Sequence, residues 1–207
     1  MFAVLSALMT PVKRIFFITG TDTGIGKTTF AVLLLEFLRL DGINTAALKP
    51  ISSGGRDDAK RLFAAMDGEL SLDEINPWHF RMAIAPSLAA RQEKRAVKLA
   101  QVVAHVRAMQ KRFNVLLVEG AGGLLSPLGR NFDSRDLMVA LRAMPIIVAP
   151  NRLGVVNSVL LTLEALPKNL RAKARVVLVP QHKPDSSAKS NASLLAEFFD
   201  PKRILTV

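Results

Sequence analysis

The chain has no cysteine, and that absence excludes disulfides, thiolate metal sites and a cysteine nucleophile together. It is compatible with a reducing cytosol, so a cytoplasmic protein is the expectation. Histidine is nearly as scarce, with three in 207 residues. His79, His105 and His182 stand in no HxxxH-like pair, so a histidine-built metal site is not expected, and His105 reads as an ordinary helix-face residue. No window has the length of a transmembrane helix, so no membrane partner is expected. The first ten residues, MFAVLSALMT, are apolar, but Lys13 and Arg14 follow the run, the reverse of a signal peptide. Residues 1–12 read as a loose N-terminal extension or an over-long start. There is no internal repeat and no low-complexity linker, which leaves one domain over residues 1–207.

Acidic residues are in the minority, 17 against 28 lysines and arginines, for a formal charge of +11. Most of the excess lies in residues 101–207. Such a balance favours anionic partners. The basic residues are scattered singly or in pairs with little aromatic interleaving, which argues for a solvated basic surface and against a nucleic-acid partner.

Half of the residues are apolar, enough for one substantial core. Their spacing alternates between short continuous runs and helical periodicity. RIFFIT (14–19) reads as a strand, and Phe30, Leu33, Leu34, Phe37 and Leu38 recur at the spacing of a helix face. Between them lies GTDTGIGKTT (20–29). Strand, glycine loop and helix form the setting of a phosphate-binding P-loop. Gly20, Gly24 and Gly26 are expected to allow positive φ and close approach, so that successive N–H groups converge on an anion at a helix N-terminus. Lys27 would reach the β and γ phosphates and Thr28 would ligate Mg²⁺. A strict G-x-x-x-x-G-K-[ST] would need glycine at Thr21; the glycine stands one place earlier, so the loop is a one-residue variant.

Further along, NTAALKP (44–50) reads as a strand ending at Lys49, at the edge where open α/β sheets bind ligands. ISSGG reads as a loop, and Asp57 or Asp58 opens a helix that runs through Met66. At that point Asp58 is equally a cap or a metal ligand. Residues 67–85 read as irregular, with a turn at Asn76-Pro77 and with Trp78 and Phe80 packing inward. Helices are expected over 86–94 and 98–113. NVLLVEGAGG (114–123) is a buried strand whose tip carries Glu119 before a glycine loop, where a nucleotide enzyme places a second metal contact. Strands over 145–150, 175–179 and 203–207, separated by helices, complete an alternating pattern. The expected fold class is α/β, a P-loop NTPase-like fold with a parallel sheet and helices on both faces.

GTDTGIGKT, KPISSG, the DDA at a helix start, VEGAGGLLSPL and LGVVN, in that order, resemble the dethiobiotin synthetases, ATP-dependent enzymes of biotin synthesis. The likeness runs from about residue 14 to about residue 166. It implies that CO₂ adds to one amine of 7,8-diaminopelargonic acid as a carbamate, that ATP phosphorylates the carbamate, and that the second amine closes the ring. By the same resemblance Asp22, Gly24, Ile25, Gly26, Lys27, Thr28 and Thr29 would hold ATP, with Glu119, Gly120 and Gly122 beside it. Thr28, Asp58 and Glu119 would bind Mg²⁺. Lys27, Lys49 and Thr23 would act on the reacting groups, and Ser53, Gly123, Pro127 and Leu128 would line the substrate. The stretch Gly154, Val155, Val156 and Asn157 would receive the substrate's carboxylate tail across a homodimer. Many relatives carry Asn-Asp after the strand matched by residues 175–179, where the adenine is read. Here that position is Pro180-Gln181, which leaves Gln181 as the candidate for the base.

Three other readings of the P-loop stand beside this one. A deviant P-loop switch ATPase would carry an extra lysine where this chain has Asp22. A cobyrinate-type amidotransferase would need a glutaminase cysteine. A non-catalytic nucleotide-binding homologue would find support only in the short loop between Ser53 and Asp58.

Overall fold

The computed structural model describes residues 13–207; the reading of residues 1–12 as an extension lies outside them. Six strands form one parallel sheet in the order β10-β9-β8-β1-β5-β2. They are β1 (Arg14–Gly20), β2 (Thr45–Leu48), β5 (Val115–Gly123), β8 (Met144–Pro150), β9 (Arg175–Val179) and β10 (Ile204–Thr206). The continuous apolar runs explain the arrangement, since a strand covered on both faces has no polar side to turn outward. Phe16, Phe17, Ile18, Leu116, Leu117, Val118, Ile147 and Val148 are all buried. Each such side chain contributes about 1.5–3 kcal/mol on burial.

Helices α1 (Lys27–Leu40), α2 (Asp57–Ala65), α4 (Pro86–Gln92), α5 (Leu99–Arg112), α6 (Ser134–Leu141), α7 (Val155–Glu164) and α9 (Asn191–Ala196) connect the strands, with short helices α3 (Leu72–Ile75) and α8 (Lys168–Arg171). Chain order and spatial order part at β1: the chain passes from β1 through α1 to β2, and β5 later enters between them. A crevice at the C-terminal tips of the strands is the consequence of such a reversal.

Residues 51–85 depart from expectation. ISSGG does not stay a loop: β3 (Ile51–Ser53) pairs in parallel with β4 (Trp78–Phe80). The stretch expected to be irregular therefore holds a strand and also α3, which is started by a capping box between Ser71 and Glu74. Three-residue strands show no alternation to read, and their partners are far apart in sequence. Pro127–Gly129 (β6) and Phe132–Asp133 (β7) form a further small antiparallel pair. His105 is a helix-face residue as read, its Nε2 2.8 Å from the Glu74 carbonyl oxygen.

Asn76, read as half of a turn, is fully buried and ties this segment to the main sheet. Its amide donates to the Lys49 carbonyl at 2.6 Å, while its Oδ1 accepts from Ser52 Oγ at 3.0 Å and Arg56 Nε at 3.2 Å. Removing it would strand several buried polar groups. Asn76→Ala is expected to lower stability by about 1–3 kcal/mol, read as a drop in the urea midpoint with an unchanged slope; an unchanged midpoint would show that these groups find other partners.

Candidate active site

Register brings the two ends of the site together. Leu48 pairs with Val118, so the next residues, Lys49 and Glu119, leave adjacent strands at one level and on one side. Ile18 pairs with Glu119, which sets the loop after β1 beside the same point. Helix α1 begins at Lys27 with Gly26 as its N-cap in the left-handed region, φ 97°, where glycine alone is unstrained. Gly24 also has positive φ, but Gly20 does not, contrary to the expectation for that position. Gly20 sits where space is tight: a Cβ there would lie 2.6 Å from Ile25 Cδ1 and 3.1 Å from the Asp22 carbonyl oxygen, so the Ile25 side chain would have to move.

A cavity of about 570 Å³ follows. It is lined by Thr23 to Thr29 of the loop, by Lys49, Ser52, Ser53 and Asp58, and by Ile84 to Pro86, Glu119, Gly122 and Ser126. The structure thus brings together most of the nucleotide, metal and reacting-group candidates. Among the others, Asp22 turns its carbonyl to Lys27 Nζ at 2.7 Å. Gly120 packs where a Cβ would meet the Phe17 ring at 3.0 Å, so it serves packing and is not part of the cavity lining. Gly123 lies against the Gly20 carbonyl, Leu128 is buried and Pro127 is exposed; none of these lines the cavity. Gln181 does not line it either; its Nε2 donates to the Val179 carbonyl at 3.3 Å. Gly154, Val155 and Asn157 border a separate cavity with Thr21 and Asp22, and Val156 belongs to the same helix end.

At the centre Lys49 Nζ donates to Asp58 Oδ2 and to Glu119 Oε1, each at 2.6 Å. Thr28 Oγ1 donates to the same Glu119 Oε1 at 2.8 Å. Lys49 and Glu119 are buried, whereas the Asp58 side chain is half exposed. Burial disfavours the Lys49 ammonium, but Glu119 and then Asp58 outweigh it and hold its pKa above the ordinary value. For Asp58, burial is overcome by Lys49, which keeps the carboxyl below its usual range. Neither aspartate caps α2; the N-cap is Arg56 and both lie in the first turn. Glu119 Oε2 is buried with no hydrogen-bond partner among the described residues. With Thr28 Oγ1 and Asp58 it makes an all-oxygen donor set of the kind Mg²⁺ takes together with phosphate and water oxygens.

Arg61 was missed in sequence. It lines the cavity and its Nη2 donates to Thr29 Oγ1 at 3.1 Å. The signal was present, since Arg61 stands three residues after Asp58 and so shares a helix face with it. Ser126, whose Oγ accepts from the Gly123 amide at 2.8 Å, had no such signal.

Residues 14–206 match a family model described as an AAA domain. The chain is 45% identical over 157 residues to an ATP-dependent dethiobiotin synthetase BioD of Anaeromyxobacter sp. (strain Fw109-5), covering 74% of this chain and 70% of that one. With the protein of the same name from Akkermansia muciniphila it shares 35% over 188 residues, 90% of this chain and 88% of the other. In three dimensions it is similar to the signal recognition particle receptor FtsY from Elizabethkingia anophelis, with TM-score 0.55 at 12% identity. That match covers 95% of this chain and 58% of that one, and a likeness at this identity concerns the fold alone.

Burial takes the Lys27 ammonium down to about 8, with Glu119 pulling the other way and Lys49 adding to the fall. The cation is therefore present below that pH and lost above it. Affinity for ATP should fall by about tenfold per pH unit above pH 8, with proton uptake on binding measurable by calorimetry in two buffers. A flat profile through pH 9.5, or the same slope in Lys27→Met, would remove Lys27 from that role.

Proposed function

The chain belongs to the ATP-dependent dethiobiotin synthetase family, and on that premise we propose that it joins CO₂ to both amines of 7,8-diaminopelargonic acid, driven by ATP cleavage, to give dethiobiotin, ADP and phosphate. The observation that carries this reading is the second buried cation: Lys49, in the same cavity as Lys27 and Thr28, held at 2.6 Å by Asp58 and Glu119. A phosphate cradle alone needs one lysine. A reaction that brings two anions together needs another.

In the proposed sequence one amine nitrogen attacks CO₂ and loses a proton, forming a carbamate. A carbamate oxygen attacks the γ-phosphorus and ADP leaves. The second amine attacks the carbonyl carbon of the resulting mixed anhydride and phosphate departs, closing the five-membered ureido ring. The carbamate and the γ-phosphate repel each other until cations stand between them, and charges fixed in advance in a water-poor site stabilise the transition state most effectively. Lys27 would hold the γ-phosphate and Lys49 the carbamate and the transferring group. Thr23 and Ser53 line the same cavity as Lys49 and would orient the diamine or carbamate. Thr28, Asp58 and the unpartnered Glu119 Oε2 would hold Mg²⁺, which when bound neutralises the phosphate oxygens. The carboxylates that hold Lys49 in this structure are the same donors, so their engagement by a cation would free Lys49 for the substrate anions.

A homodimer is part of the proposal. Gly154, Val155 and Asn157 do not line the cavity that holds Lys27 and Lys49 but border a second one with Thr21 and Asp22, so a contribution to substrate binding would be made to a second copy. No helix among the described residues is long and apolar enough to cross a membrane, and we assign the enzyme to the cytoplasm. Gln181, two residues beyond the β9 tip whose Val179 flanks Gly26, remains the residue proposed for the base.

Purified protein supplied with ATP, Mg²⁺, bicarbonate and the diamine is expected to release phosphate and form dethiobiotin in equal amounts; ATP turnover that ignores the diamine would point to a nucleotide switch. Lys49→Ala should leave nucleotide affinity near that of the unaltered protein while cutting turnover by roughly 10² or more. Parallel losses of affinity and rate would place Lys49 on the nucleotide.

A further inference from the structure

The sheet edge opposite the P-loop carries a second group of cations that the reaction does not use. In a parallel sheet the first residues of all strands meet at one edge. Arg14 opens β1, Arg175 opens β9, Arg203 immediately precedes β10, and Arg142 comes two residues before β8. The order β10-β9-β8-β1 sets these four positions side by side over roughly 15 Å, at about 4.8 Å per strand. At the β8-β1 end the edge opens into a cavity of about 500 Å³ whose lining includes Lys13, Arg14, Arg107 and Arg142 and, among the described residues, no carboxylate.

Lys13 and Arg107 are fixed by neutral groups. Lys13 Nζ donates to the carbonyls of Gln110 at 3.1 Å and Lys111 at 2.8 Å, and Arg107 donates to Gln110 Oε1 and the Leu141 carbonyl, both at 2.7 Å. These partners are neutral groups near the C-terminal ends of α5 and α6, so they hold the cations in place while cancelling only part of their charge. The Arg142 side chain has no hydrogen bond or ion pair among the described residues. On the same edge Asp200 is taken up by Arg203, Oδ2 to Nε 3.0 Å. Burial, and then the charges of Arg203 and Arg14, push the Arg175 guanidinium below its ordinary value, as an incompletely neutralised positive field would.

We propose that this cavity is a second anion site, taking an oligophosphate chain, either free or carried by a nucleotide. A single carboxylate would neutralise a small part of four cations, whereas a di- or triphosphate matches them in charge and offers oxygens to several donors at once. Among the described residues the rest of the lining is Ile15, Gln110, Leu141 and Met144, without the aromatic platforms on which single-stranded nucleic acid stacks. The site is distinct from the P-loop because Arg14 and Gly20 are the two ends of β1, about 20 Å apart at the rise of a strand.

The test titrates tripolyphosphate and ADP, separately, into the full chain carrying Lys27→Ala, which weakens the P-loop, at 150 mM salt in a calorimeter. One equivalent should bind saturably, and adding Arg142→Gly should weaken it about tenfold or more, the loss of a charge-assisted contact. Arg142 has φ 52°, which glycine adopts without strain, so this variant keeps the fold, as an unlowered Tm would verify; its turnover in the unaltered P-loop background should be unchanged. Tighter tripolyphosphate supports the site for a free chain, and tighter ADP supports it for a nucleotide. Absence of saturable binding, indifference to Arg142→Gly, or several equivalents that vanish as salt rises would each overturn the proposal.

Discussion

The buried ammonium of Lys49, shared between Glu119 and Asp58 at 2.6 Å each, is the interaction on which the site depends. A lysine and a glutamate out of water are each costly, and the pair is tolerable only because the strands hold them in contact. Removing one partner of such a pair commonly costs about 3–5 kcal/mol, because the other charge is left buried alone. The geometry around Lys49 is accordingly over-determined. Its amide donates to the Ile75 carbonyl at 3.0 Å, its carbonyl accepts from Asn76, and the β2-β5 register places Glu119 beside it. The segment from β3 to β4 thereby supports the chemistry twice over, since it also supplies Ser52, Ser53, Asp58 and Arg61 to the cavity wall.

That arrangement also separates the tasks of the two sheet edges. At the C-terminal edge three loops converge, and cations and carboxylates alternate: Lys27, Lys49 and Arg61 against Glu119 and Asp58. Two carboxylates there offset most of the charge of three cations. At the N-terminal edge Lys13 and Arg107 have neutral oxygens for partners, and Arg203 is paired with Asp200. A cluster whose charges are largely paired suits a site that must exchange partners during a reaction, and one with fewer counter-charges suits simple anion capture.

The legible parts of this chain are those whose signal is local. The P-loop is legible because a strand, a glycine loop, Lys27 and Thr28 are consecutive. Glu119 and Lys49 are legible because each terminates an apolar run, and an ionisable residue at a strand tip stands out against its neighbours. Arg61 was within reach through its helical spacing from Asp58. What was misread lies where elements are short: β3 and β4 have three residues each, and Asn76 looks like a turn until its three hydrogen bonds are seen. Gly20 was misassigned because sequence does not distinguish a glycine needed for positive φ from one that sits close against the Ile25 side chain.

The sequence by itself determined the alternation of strands and helices, the parallel sheet, the phosphate loop and the identity of the ionisable residues at the strand tips. Periodicity and motif are properties of neighbouring residues, and they need no knowledge of what packs where. Only the tertiary structure decided that β5 lies between β1 and β2, that its register sets Glu119 against Lys49, that the stretch at Gly154 to Asn157 borders another cavity, and that Arg14, Arg142, Arg175 and Arg203 share one edge. Strand order and register are set by the packing of the whole core, and residues distant in the chain acquire a common electrostatic environment only once that core has formed.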